Sequence, residues 1–238
     1  MKILTNKNLN EIGFDYEVGN VLLINKKPGF TSFDVVRKIS KLTRLKAGHA
    51  GTLDPYAAGL LVICTGKLTK RISEFQETEK TYEGIIELGK RTPSMDLETG
   101  FSEEKGIDGV TVEQIEEVRK NFLGNIKQFA PMFSAVKHKG KALYAYARQG
   151  IEIEREERDA FIAEFEITLI DLPEVHFKIV CSKGTYIRTI ADDFGQKLGC
   201  GAYLKNLCRT KIGNFDVIDA LTIDDLKEYF KNNVRESK

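Results

Sequence analysis

The sequence predicts a protein in which β-strands and α-helices alternate, and three observations predict it. Residues 60–64, Leu-Leu-Val-Ile-Cys, form an unbroken apolar run of strand length, the pattern of a strand buried on both faces. Val35, Val36, Ile39 and Leu42 recur at helical spacing behind a Thr31-Ser32 pair suited to an N-cap, with Asp34 in the first turn. Residues 80–89, KTYEGIIELG, carry β-branched, aromatic and apolar side chains and read as a strand with Tyr82 near its start. Alternation alone leaves open whether the sheet is parallel or antiparallel.

In chain order, residues 19–24 read as a short strand and 25–29 as a turn with Pro28 and Gly29 in turn-making positions. The helix that follows carries Arg37, Lys38, Lys41 and Arg44 on its polar face, with Lys46 beyond it. A glycine-rich loop with His49 and Asp54 leads into the apolar run, and Leu68, Ile72 and Phe75 mark a helix ending near Gln76. After the 80–89 strand, the 91–100 loop with Thr92, Pro93, Ser94, Asp96 and Gly100 is expected to be mobile. Val112, Ile115, Val118 and Phe122 predict an amphipathic helix, and 141–148 a second one behind a stretch of interleaved lysines and aromatics. Residues 161–170 and 176–181 read as strands. Gly184 then turns the chain into a helix through Ile187, Ile190, Phe194 and Leu198, with Tyr186 and Arg188 at its N-terminus. An arginine there is locally unfavourable, which implies that it answers a nearby negative charge. Residues 202–215 read as a strand, Thr222 and Asp225 as a capping box for a last helix through Phe230, and the 232–238 tail is expected to fray.

Composition narrows the class. At 238 residues the chain can bury a sizeable core, and 42% hydrophobic with 30% charged residues is ordinary for a soluble protein. No apolar run approaches the roughly 20 residues a membrane helix needs. The start shows no secretory signal, so the cytoplasm is the expected location. Cys64, Cys181, Cys200 and Cys208 are widely spaced, which argues against a zinc site and a disulfide framework and predicts reduced thiols. Net charge is only +1, yet Arg37, Lys38, Lys41, Arg44 and Lys46 precede the glycine-rich loop and Lys67, Lys70 and Arg71 follow it. A neutral total thus conceals a basic segment, and the acidic residues gather at 152–159.

Asp54 is the only acid between Asp34 and Glu74, and Pro55 restricts its backbone to extended conformations. Asp-Pro pairs also begin ordinary turns, and spacing alone favours that reading. The whole stretch 48–66, GHAGTLDPYAAGLLVICTG, resembles the catalytic motif of the TruB-type tRNA pseudouridine synthases. The segments KKPGFTS, KTY, QFAPMFSAVKHKG, SKGTYIRT and LCRT are similar to further motifs of that family, in the family's order from Lys26 to about Phe215.

The resemblance implies an α+β pseudouridine synthase fold, a mixed and largely antiparallel sheet with flanking helices and a central cleft. It implies that Asp54 is the nucleophile and Arg188 its ionic partner. Tyr82, on its own core filler, becomes the residue that stacks on the target base; Tyr186 also contacts the uridine, His49 holds the flipped-out form of the RNA and Leu207 lines the uracil pocket. Lys26, Lys38, Lys41 and Lys67 are candidates for RNA backbone contacts. The implied activity isomerises uridine 55 in the T-loop of tRNA, with tRNA as partner, no cofactor, no metal and no membrane, and a monomer as the expected state. Where family members have L-R-R-T this chain has Leu207-Cys208-Arg209-Thr210, so the first arginine's contact is absent. Many bacterial relatives continue into a PUA domain. The expectation here is a single catalytic domain over 1–238 without one, with RNA affinity supplied by the catalytic domain. A competing reading is a non-catalytic RNA-binding or remodelling protein using the same basic face. A carboxylate-dependent hydrolase ranks last, because no second carboxylate stands at a recognisable spacing.

Overall fold

The computed structural model describes residues 1–235 and is a mixed α+β fold whose strands pair mostly antiparallel. In chain order its elements are β1 (Ile3–Leu4), α1 (Leu9–Ile12), β2 (Val21–Lys26), α2 (Ser32–Thr43), β3 (Ala47–His49), β4 (Ala58–Thr65), α3 (Ile72–Gln76), β5 (Lys80–Leu88), β6 (Lys90–Arg91), β7 (Glu103–Glu104), α4 (Val112–Lys120), β8 (Gly124–Phe129), β9 (Lys137–His138), β10 (Lys141–Ala142), α5 (Leu143–Ala147), β11 (Glu157–Asp171), β12 (Glu174–Cys181), α6 (Ile187–Leu198), β13 (Ala202–Ile212), β14 (Phe215–Asp216) and α7 (Ile223–Arg235). They form two units, Met1–Tyr82 with Cys208–Lys238, and Glu83–Leu207.

In the first unit the strand order is β1-β2-β4-β13, with β3 paired to β4 and β14 to β13. Strand β2 runs antiparallel to β4 from Val21 opposite Cys64 to Lys26 opposite Gly59, whereas β13 runs parallel to β4. Alternate residues of β2 and β4 enter two different cores. Leu22, Ile24, Leu61 and Ile63 pack with α2 and α7 through Val35, Val36, Ile39, Leu226 and Phe230. Val21, Leu23, Leu60, Val62 and Cys64 pack on the opposite face with Ala50, Leu68, Phe75 and Ile212. Coverage of both faces is why the sequence shows a continuous apolar run here in place of alternation. Helix α2 begins at the expected N-cap, which the structure shows to be a full capping box: Thr31 Oγ1 accepts from Asp34 N at 3.0 Å and Asp34 Oδ2 accepts from Thr31 N at 3.1 Å.

In the second unit the order is β5-β12-β11-β8. Strand β12 alternates buried and half-buried residues along its length, so only one of its faces meets core. Four aromatic rings fill that core. Phe165 lies with its ring centroid 6.0 Å from Phe122, 6.0 Å from Phe194 and 6.2 Å from Phe177. Such edge and tilted arrangements suit the ring quadrupoles.

Several expectations need correction. The 91–100 loop is anchored rather than loose: Thr92, Ser94 and Asp96 are buried, Thr92 Oγ1 and Ser94 Oγ both donate to Asp96 O, and Ser94 N donates to Thr99 Oγ1. Serine and threonine hydroxyls satisfy this loop from within, a signal that composition alone reads as mobility. The helix expected from Leu68 opens as a 3-10 turn, Gly66–Arg71, and becomes α-helical only at α3. Lys141 and Ala142 pair with His138 and Lys137 in a hairpin, which confines the following helix to α5. Strand β11 starts at Glu157, four residues before the expected start, because it already pairs there with β8, Glu157 opposite Phe129. The last helix runs past Phe230 to Arg235, so the frayed tail expected from 232 is helical to 235; residues 236–238 lie outside the described residues. All four cysteines are free thiols, as expected.

Gly59 marks a tight backbone crossing between β4 and β13. Its φ is +106°, and a Cβ there would stand 2.3 Å from Arg209 O and 2.7 Å from Arg209 N. Gly59→Ala is therefore expected to lower stability in denaturant titrations by about 2–4 kcal/mol, while Gly100→Ala, which faces open space, stays within about 0.5 kcal/mol of the parent. Equal midpoints for the two variants would contradict the close β4–β13 approach.

Candidate active site

Asp54 sits in the loop that joins β3 to β4, and the backbone carbonyls of five consecutive residues around it all accept hydrogen bonds. Arg209 of β13 donates from Nη2 to Gly51 O at 3.2 Å, from Nη1 to Thr52 O at 3.4 Å and from Nε to Leu60 O at 2.8 Å. Ser32, the first residue of α2, donates from Oγ to Leu53 O at 3.0 Å and accepts from Leu53 N at 2.8 Å. Ala57 N closes on Asp54 O at 3.1 Å, and Gly29 N reaches Pro55 O at 2.9 Å. Lys26, the last residue of β2, completes the set from Nζ with Pro55 O at 3.3 Å, Phe30 O at 2.7 Å and Lys27 O at 3.2 Å. A loop whose carbonyls are all engaged has little freedom to relax, so the direction in which the half-buried Asp54 side chain leaves the backbone is fixed.

Lys26 corrects the sequence reading. It was expected to contact RNA phosphates; its side chain is only 1% exposed, and its ammonium is spent on three protein carbonyls. Burial pushes its pKa down from 10.5 to about 8, with Asp54 pulling it up and Arg209 pushing it down. Arg209, also 1% exposed, holds the Asp54 loop and was missed by sequence reasoning. Its signal was the strand register: Leu207 and Arg209 are both buried while Cys208 between them is half-buried, and an arginine in a buried register must have partners waiting for it. Cys208, the departure from L-R-R-T, leaves this buried arginine in place.

His49 ends β3 opposite Ile63 of β4. Burial first, then the Arg209 charge, lowers its pKa, so the imidazole is neutral near pH 7, and its Nδ1 is buried without a hydrogen-bond partner. Tyr82, the third residue of β5, is half-buried. Lys41 and Lys67 are exposed, and the half-buried Lys38 places Nζ 3.6 Å from the Phe30 ring centroid.

Tyr186, Arg188 and Leu207 belong to the second unit. Tyr186 occupies the N-cap position of α6, where Gln128 fixes its backbone: Tyr186 N donates to Gln128 Oε1 at 3.0 Å and Gln128 Nε2 donates to Tyr186 O at 3.2 Å. Arg188 is buried in the first turn of α6, and the negative charge inferred from its position includes Asp96, whose Oδ2 lies 3.6 Å from Nη1. Nη1 also donates to Ser94 O at 3.0 Å and Nη2 to Phe133 O at 2.8 Å. The loop expected to be mobile is thus part of the seat of Arg188. Leu207 is buried.

Residues 37–187 match the family model described as TruB family pseudouridylate synthase, N-terminal domain, and residues 188–238 match the tRNA pseudouridylate synthase B C-terminal domain. The chain belongs to the TruB family of pseudouridine synthases. Among TruB-family relatives, the tRNA pseudouridine synthase B of Flavobacterium johnsoniae is 48% identical over 222 residues, covering 90% of this chain and 97% of that protein. The protein of the same name from Dehalococcoides mccartyi is 46% identical over 208 residues, 87% of this chain and 69% of that protein. Two solved structures share the TruB-family fold seen here. A chain of a Cbf5-Nop10-Gar1 complex aligns with a TM-score of 0.73 at 29% identity over 94% of this chain, which spans 57% of that chain. An H/ACA RNP bound to a substrate RNA containing 2'-deoxyuridine aligns with a TM-score of 0.68 at 27% identity, over 92% of this chain and 56% of that one. Among the described residues no helix is long and apolar enough to cross a membrane.

The depressed Lys26 pKa carries a testable sign. Between about pH 8 and pH 10.5 the folded Lys26 holds fewer protons than the unfolded one. Its contribution to stability therefore rises with pH across that window and is flat below it. The stability difference between parent and Lys26→Met, followed by denaturant titration, is expected to grow in the parent's favour from pH 8 to 10; a difference that shrinks would contradict the buried, carbonyl-bound lysine.

Proposed function

We propose that this chain converts uridine 55 in the T-loop of tRNA to pseudouridine, with Asp54 as the nucleophile. The observation that carries the reading is the unbroken set of donors on the carbonyls from Gly51 to Pro55, which holds one carboxylate in a fixed direction inside the family's G-T-L-D-P motif. The reaction breaks the C1'–N1 glycosidic bond, rotates the base and forms a C1'–C5 bond; N1 gains a proton and C5 releases one, so no electrons are exchanged. A carboxylate suits this chemistry because it attacks the base or the sugar covalently and then leaves. It must act as the anion, and the ammonium of Lys26, which interacts electrostatically with Asp54, favours that form.

The remaining roles follow the resemblance. Arg188 is the arginine that the resemblance assigns to the catalytic chemistry. Tyr82 stacks on the flipped base and returns about 1–3 kcal/mol of the stacking the base lost. Tyr186 contacts the uridine, Leu207 lines its pocket, and the neutral His49 meets the flipped-out RNA. Lys38, Lys41 and Lys67 bind phosphates. The enzyme needs no cofactor and acts in the cytoplasm, where its tRNA substrate is made in bacteria such as those of its relatives.

Tritium release from tRNA labelled at C5 of uridine tests this. The parent is expected to release tritium from position 55, and Asp54→Asn to lose turnover by more than about 1,000-fold while binding tRNA within a few-fold of the parent. Turnover retained in Asp54→Asn would remove the aspartate from the mechanism.

A further inference from the structure

The first unit carries an exposed aromatic group that the proposed chemistry leaves without a task. Phe33 is 68% exposed, Tyr56 49% and Phe30 38%. Water is a poor environment for three large rings, and on a surface they mark an interaction site more often than chance placement. Their positions are tied together by the contacts that clamp the Asp54 loop. The turn bearing Phe30 is bonded to the turn bearing Tyr56 by Gly29 N on Pro55 O, and Lys26 bridges Phe30 O and Pro55 O. Ser32, the neighbour of Phe33, is bonded to Leu53. Phe30 and Tyr56 thus belong to two turns locked to each other, and Phe33, in the first turn of α2, follows the residue bonded to the loop of Asp54.

The charge around them identifies the partner. On α2, Phe33, Arg37 and Lys41 follow one another at intervals of four, which places them on one helix face, and all three are exposed. Lys38 sits over the Phe30 ring at 3.6 Å, which holds its ammonium beside the aromatic group. Asp34 pairs with Arg37 at 3.1 Å, leaving the lysines as the net charge of the strip. Rings interleaved with cations on an exposed face fit unpaired nucleotides, whose bases stack and whose phosphates pair.

We propose that Phe33 and Tyr56, flanked by Phe30 with Lys38, form a stacking platform for unpaired bases of the RNA beside the target uridine. The platform rests on the reading of Asp54 as the site of reaction and sets which loop structures reach it. Phosphate contacts alone recognise any RNA; stacking requires bases that are not paired. The platform therefore selects a looped strand over a continuous duplex.

Binding of a synthetic T-arm hairpin RNA and of a duplex RNA of equal length tests the platform, together with the kinetics of pseudouridine formation on the hairpin. Phe33→Ala and Tyr56→Ala, each checked for an unchanged thermal midpoint, are expected to raise Kd and KM for the hairpin about 5- to 10-fold, as loss of a stacked base predicts. The preference for hairpin over duplex falls by the same factor and kcat changes less than about twofold. Phe33→Tyr and Tyr56→Phe are expected to restore binding, because the ring and not the hydroxyl does the stacking. Alanine variants that bind the hairpin like the parent, or that lose hairpin and duplex equally, would overturn the platform. So would variants that alter only self-association, which would assign the rings to a second copy of the chain. A parent that binds the hairpin through these rings but forms no pseudouridine would instead overturn the proposed activity and leave the platform standing.

Discussion

Five backbone carbonyls in a row, from Gly51 to Pro55, set the terms for this molecule. A loop at the end of two strands normally turns such groups to water. Here each has a donor supplied by the protein, from β2, from the start of α2, from β13 or from the loop's own turn. Three of the donors are side chains that had to be carried into the interior. Each neutral bond contributes about 1 kcal/mol net and the charged ones somewhat more, whereas a buried carbonyl left unpaired costs about 1–3 kcal/mol. The loop consequently behaves as one unit, and displacing any member exposes its neighbours to that penalty.

The surrounding architecture can be understood as what allows two cations to be buried next to that loop. Strands β2 and β4 are covered on both faces by apolar side chains, so the ends of the sheet are held without help from the loop. Gly59, opposite both Lys26 on β2 and Arg209 on β13, lets the three backbones approach closely enough for both side chains to reach the same turn. The cost of desolvating two cations is met by six carbonyl acceptors, three for each. That arrangement also leaves a positive field beside a single carboxylate, which is what an anionic nucleophile requires.

Much of this was legible in the residues. The covered strand announced itself in Leu60 to Cys64, the helix in the Thr31-Ser32 N-cap and the apolar spacing from Val35 to Leu42, and the position of Tyr186 and Arg188 in the glycine turn before an apolar repeat. The antiparallel character of the sheet and the roles of the site residues came from family resemblance, because neither is encoded in local spacing. Lys26 was misread because a lysine beside a basic helix looks solvated; only the tertiary approach of Phe30 and Pro55 shows three carbonyls waiting for it. Arg209 was passed over because its partners lie about 150 residues away in sequence. The 91–100 loop was misjudged because serine and threonine hydroxyls serve equally well in mobile and in internally bonded loops, and composition does not distinguish them.

The account stands on the clamp orienting Asp54 rather than merely stabilising the fold, and Ser32 separates those roles most cleanly. Its hydroxyl makes both bonds to Leu53, the residue before the aspartate, and contributes no charge to the site. The decisive measurement is the single-turnover rate of pseudouridine formation by Ser32→Ala at saturating tRNA, with tRNA affinity measured alongside. The clamp predicts a rate at least about 10-fold below the parent, since small misplacements of a reacting group are costly, with affinity unchanged. A folded Ser32→Ala protein that turns over at the parental rate would show that the aspartate does not depend on these bonds.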